Sequence, residues 1–120
     1  MVPGPLKGYK SFETVLRSGR RVTSGPLLFA VIPNEDSEQS LLGVGVPKRI
    51  APKAVVRNRI KRLMRESARL CFQDLNSALH GIRVVCLCRQ APRQASNVRL
   101  ADIHKYMSIG LQKLARSETR

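Results

Sequence analysis

Residues 54–67, AVVRNRIKRLMRES, fix much of what this chain can become. Five cations, Arg57, Arg59, Lys61, Arg62 and Arg65, fall within nine positions, with Asn58 among them. At about 100° per residue, Val56, Ile60, Leu63, Ser67 and Leu70 stack on one side of a helix, flanked by Met64 and Cys71. Arg57, Asn58, Lys61, Arg62, Arg65 and Arg69 take the opposite side. Such a helix must bury one stripe and leave the cationic one in water. Arg57, Lys61, Arg65 and Arg69 form an i,i+4 ladder of like charges, each pair costing a few tenths of a kcal/mol. A bound polyanion removes that cost, which makes anion binding the better account of the ladder than a solvated face.

The partner that buries the apolar stripe is legible nearby. LLFAVI, within a β pattern from Val22 to Ile32, is a continuous apolar run rich in strand formers, ended by Pro33 and the polar turn NEDSEQS. LLGVGVP, residues 41–47, predicts a second strand, and the two read as an antiparallel hairpin. Gly43 and Gly45 share one face of it, leaving space for a packed helix or a ligand. IRVVCLCR, residues 82–89, predicts a third strand after Gly81. Three helices are expected: Tyr9 to Arg17, with Ser11 as a candidate cap; Pro52 to Asn76, with Pro52 in the first turn; and Val98 to Ala115, capped by Asn97. The order is α-β-β-α-β-α and the expected fold class is α/β, an α+β two-layer sandwich with a small central sheet. Residues 1–8 read as a flexible lead-in, 9–116 as one α/β domain and 117–120 as a tail.

Charge narrows the partner. Lys and Arg number 22 against 8 Asp and Glu, a net charge of +14. A domain so unbalanced points to nucleic acid first and an acidic membrane surface second. No apolar run reaches the roughly 18 residues of a membrane span, and MVPGPLKGYK lacks the apolar core of a signal peptide, so a cytoplasmic location is expected. Cys71, Cys86 and Cys88 are odd in number, without a C-x-x-C pair, and read as reduced core thiols. His80 and His104 offer no matching metal spacing and read as surface or packing residues. Glu13, Asp36, Glu66, Asp74 and Asp102 lie on separate elements, unlike the converging carboxylates of a metal-dependent nuclease. GVGVPKR lacks the spacing and the Lys-Ser/Thr ending of a P-loop.

The segment GVGVPKRIAPKAVVRNRIKRLMRES closely resembles the signature of the bacterial ribonuclease P protein component: a glycine-rich strand, a basic turn and a helix carrying R-N-R-x-K-R. Phe12, Val15 and Gly19 match that family's N-terminal F-x-x-V…G pattern, and Arg89, Ala91 and Pro92 match its late strand ending. The resemblance spans roughly residues 6–116. It implies a sandwich with a left-handed βαβ crossover, where the general rule favours the right hand. It implies a protein subunit that binds ribonuclease P RNA and the 5′ leader of precursor tRNA, while the RNA and its Mg²⁺ perform the hydrolysis. No catalytic residue, membrane or small-molecule substrate is expected for the chain.

Carried onto this sequence, the resemblance makes Lys53, Arg57, Asn58, Arg59, Lys61, Arg62, Arg65 and Arg69 contacts to the catalytic RNA. It makes Phe12, Leu16, Lys48, Arg49 and Arg89 contacts to the leader, in a groove between the first helix and the sheet. Family members often carry further aromatics where this chain has Leu16 and Ala30, so leader stacking is expected to be weaker. A general RNA- or DNA-binding structural protein is the rival reading, and a protein-only endonuclease a third.

Overall fold

The computed structural model describes residues 3–75, 79–90 and 99–118. In chain order the elements are β1 (Gly4–Pro5), α1 (Tyr9–Ser18), β2 (Arg20–Ser24), β3 (Leu27–Pro33), β4 (Leu41–Gly45), α2 (Ala54–Asp74), β5 (Ile82–Cys88) and α3 (Leu100–Glu118). All three expected helices and all three expected strands are present, and two strands are added. The β pattern from Val22 is split at Gly25, whose φ of 54° sets the first central position of a two-residue hairpin turn between β2 and β3. The Tyr106 ring packs so closely on Gly25 that a Cβ there would lie 2.4 Å from Cδ1. The lead-in carries the other strand: Gly4 N donates to Ser40 O and Leu6 N to Leu42 O, each at 2.9 Å.

Pairing corrects the expected hairpin. The sheet order is β1-β4-β5-β3-β2, so β5 lies between the two strands that were expected to be neighbours. It runs antiparallel to β3 and parallel to β4, and Ala54–Asp74 is the crossover helix of a β4-α2-β5 unit. The reason is apolarity. β5 is buried on both faces at Val84, Val85 and Cys86, which suits the centre of a sheet rather than an edge. The acidic turn then has to span two strand spacings, about 10 Å, and it is tied across the start of β5. Asn34 N donates to Gly81 O at 2.7 Å and Gly81 N to Glu38 O at 2.8 Å. The buried Asn34 side chain donates to Gln39 O and accepts from Arg83 Nε, and Arg83 also pairs with Asp36.

Side chains alternate across the sheet and build two cores. On one face Leu27, Phe29, Val31, Val84 and Cys86 meet α2 and α3. The stripe of α2 that is buried runs through Ile60, Met64, Ser67, Ala68, Cys71 and Phe72. It is turned slightly from the expected one: Val56, Leu63 and Leu70 lie at its half-buried margin. Ser67 is satisfied there by a 2.9 Å hydrogen bond between its Oγ and His104 Nδ1 of α3. On the other face α1 lays Val15 over Ala30 and Val85.

Local capping also differs from expectation. Gly8, not Ser11, precedes α1, and neither it nor Lys53 before α2 makes a side-chain cap hydrogen bond. Pro52 sits ahead of α2 rather than in its first turn. Asn76, residues 91–97 and Val98 fall outside the described residues. The three cysteines are free and buried. Burial pushes the Cys71 thiol up to about 11 and that of Cys86 well above its ordinary value, so both stay protonated near neutrality.

Candidate nucleic-acid interface

Because α2 spends its apolar stripe on the sheet and α3, its cations line up on what remains. Asn58, Arg62, Arg65 and Lys53 are exposed, and Lys61 is half-exposed. The ladder is less uniform than expected. Arg57 turns back, its Nη1 donating to Ala51 O at 3.0 Å and Pro52 O at 2.7 Å, so it ties down the turn that enters α2. Arg69 is relieved by Glu66, donating through Nε at 3.3 Å and Nη2 at 2.5 Å. The Arg69 guanidinium holds the Glu66 carboxyl below the usual range. Arg59 is half-buried. Outward charge on α2 and its entry therefore lies at Lys53, Arg62 and Arg65, with Lys61 half-exposed beside them, while Arg59, of similar exposure to Lys61, has its Nε buried. Removing Arg57 is expected to lower stability by about 1 kcal/mol through the lost charge-assisted hydrogen bonds. A thermal melt of Arg57→Ala checks this; an unchanged midpoint would make Arg57 an interface residue only.

The opposite face of the sheet carries a groove. Register places Arg21, Ala30, Val85 and Gly43 in one row, and Thr23, Leu28, Leu87 and Gly45 in the next. α1 covers the first row, and Ala30 is fully buried beneath it. The second row stays partly open, with Leu28, Leu87 and Gly45 as floor. Phe12 forms the wall. A Cβ on Gly43 would lie 3.0 Å from Phe12 Cδ2, and one on Gly45 3.1 Å from Phe12 Cζ. The glycines thus make a bed for an aromatic ring of this chain, which settles their role on the side of packing. Leu16 is half-buried one turn further along α1. Lys48, Arg49 and Arg89, all exposed, follow the C-terminal ends of β4 and β5, where this floor opens.

Two groups were not anticipated. Tyr9 is 80% exposed and shares the Phe12 and Leu16 side of α1, at i, i+3 and i+7. The helical spacing already contained it. Arg21 lies in the Ala30 row and donates Nη2 to Leu16 O at 2.7 Å, buttressing the end of α1. Its signal was hidden because β2 was not separated from β3. Ala30 does not line the open groove, so an aromatic at its place would have to displace Val15.

Among the described residues the carboxylates do not converge. Glu13 pairs with Arg17, Asp36 with Arg83 and Glu66 with Arg69, while Asp102 accepts from Arg99 N. Among the described residues, no three His, Cys, Asp or Glu are grouped to hold a metal ion, and no helix is long and apolar enough to cross a membrane.

Known proteins share this fold. The Staphylococcus aureus RNase P protein superposes with a TM-score of 0.73 at 23% identity, over 91% of this chain and 93% of that one. The ribonuclease P protein component of Clostridium kluyveri is 35% identical over 110 residues, covering 90% of this chain and 96% of the relative. That of Synechocystis is 37% identical over 60 residues, a match spanning 48% of the relative's length. The family model described as Ribonuclease P matches residues 4–114. That span runs from β1 into α3 and includes both basic surfaces, and the chain belongs to the ribonuclease P protein family.

Proposed function

We propose that this chain is the RNA-binding protein subunit of ribonuclease P, acting in the 5′ maturation of precursor tRNA in the cytoplasm. α2 binds the catalytic RNA and the groove beside α1 binds the single-stranded 5′ leader. The observation that carries the reading is the outward set Lys61, Arg62 and Arg65, which no acid among the described residues relieves as Glu66 relieves Arg69. The protein neutralises phosphates where RNA and leader converge, which lowers their repulsion and the Mg²⁺ needed to join them. The described carboxylates do not fit a Mg²⁺ site of the protein's own. The ion and the hydrolysis are assigned to the RNA subunit.

Cleavage of precursor tRNA at low Mg²⁺ tests this with bacterial ribonuclease P RNA alone, protein alone, and both. The expected result is cleavage at the mature 5′ end by the mixture only. Equal cleavage by RNA with and without protein would return the chain to general RNA binding.

In the groove, Phe12 and Tyr9 supply stacking surfaces, Leu16 an apolar edge, and Lys48, Arg49 and Arg89 the phosphate contacts. Base–aromatic stacking is worth roughly 1–3 kcal/mol per base. Tyr9→Ala is therefore expected to narrow the affinity gap between precursor and mature tRNA by about tenfold, with mature tRNA unaffected. If both tRNAs weaken equally, Tyr9 does not touch the leader.

A further inference from the structure

On the α2 side of the sheet, away from the groove, a cleft of about 340 Å³ opens between β1 and α2. Pro3, Pro5 and Leu42 make one side, and Arg62, Arg65 and Arg69 the other. These arginines fall at i, i+3 and i+7, one ridge of the helix.

We infer that this cleft seats a single unstacked nucleobase of the RNA partner, with its phosphate on Arg62 and Arg65. The inference rests on the RNA-binding reading of α2 and adds a position-specific contact to it. Two properties coincide there that neither a bare phosphate nor an apolar group would use together. The prolines and Leu42 give an apolar surface, while the guanidiniums demand an anion. A nucleotide has both parts. The volume lies at the low end of the roughly 300–1,000 Å³ of small-ligand sites, which suits one base and excludes a duplex.

The walls are set before binding. Proline fixes φ, and β1 is pinned to β4 by hydrogen bonds at Gly4 and Leu6. Arg69 is held by Nε and Nη2 on Glu66, so its guanidinium plane is oriented without a ligand. An oriented guanidinium is a stacking surface for an unpaired base. Among the described residues lining the cleft Glu66 is the one acid, and Arg69 already neutralises it.

The test follows the Leu42 methyl and the arginine side-chain resonances of the full chain by NMR. Adenosine 5′-monophosphate, adenosine and inorganic phosphate are titrated separately, and ribonuclease P RNA is then added. Expected are a Leu42 methyl shift with the nucleotide, guanidinium shifts alone with phosphate, and a nucleotide-induced shift replaced by an RNA-induced one when RNA is in excess. A silent Leu42 in every titration overturns the base seat and reduces the cleft to an electrostatic patch. A nucleotide that stays bound in the RNA complex overturns the RNA assignment in favour of a free nucleotide. If RNA moves neither Leu42 nor Arg62 and Arg65, the reading of α2 itself falls.

Discussion

Replacing Lys61, Arg62 and Arg65 together by alanine is expected to weaken binding to ribonuclease P RNA on the order of 100-fold at about 0.1 M salt. Each phosphate contact contributes roughly −0.7 to −0.9 to the slope of log K against log salt, so the slope should lose about two units. The fold should survive. Arg62 and Arg65 are exposed, and none of the three lies on the buried stripe of α2. Alanine is the better helix former, and the like-charge repulsion disappears, so the melting point should hold or rise slightly. Filter binding across a salt series, with a thermal melt of the same protein, separates the outcomes. An unchanged slope would remove α2 from the interface. A collapsed melt would make these side chains structural.

The largest structural effect is expected at Gly110. This glycine lies on the buried side of α3, against the fully buried ring of Phe29. A Cβ there would come 2.1 Å from Phe29 Cε1 and 2.6 Å from Cζ. Neither side can yield easily: the ring sits in the main core, and α3 is packed along α2 and β2. Overpacking typically costs about 1–3 kcal/mol, and this contact belongs at the upper end. The gain of roughly 1 kcal/mol from replacing glycine in a helix offsets only part of it. Gly110→Ala should therefore lower the melting temperature by about 5–10 °C. Adding Phe29→Leu should recover part of the loss, because the clashing ring edge is gone. A Gly110→Ala protein at least as stable as the parent would mean that α3 does not approach β3 this closely.

Helices were legible because their apolar residues recur at 3.6, and the cationic stripe stood out by the same period. Strands were legible one by one, but their neighbours were not. Consecutive strands usually pair, so β3 and β4 read as a hairpin. Only the double-sided burial of β5 shows why it separates them. The Gly25-Pro26 turn was present in the sequence, yet the β formers on both sides masked it. Within the interface, residue type gave the charges but not their duties. Arg57 holds carbonyls at the entrance to α2 and Arg69 holds Glu66, arrangements set by helix entry and side-chain reach rather than by spacing alone. Spacing shows Gly43 and Gly45 as room on one strand face for a packed helix or a ligand. The fold fills it with Phe12, a contact between segments about thirty residues apart in the chain.

The interleaved sheet has a consequence during synthesis. β3 and β4 leave the ribosome well before the strand that joins them, with the whole of α2 emerging in between. Until residues 82–88 appear, the β2–β3 hairpin and β4 have no common partner. Long-range pairing of this kind is intrinsically slow and leaves strand edges open to misassociation. The nascent chain therefore carries its most cationic helix into a crowded, RNA-rich setting before its core can close, and the last third of the chain completes the fold.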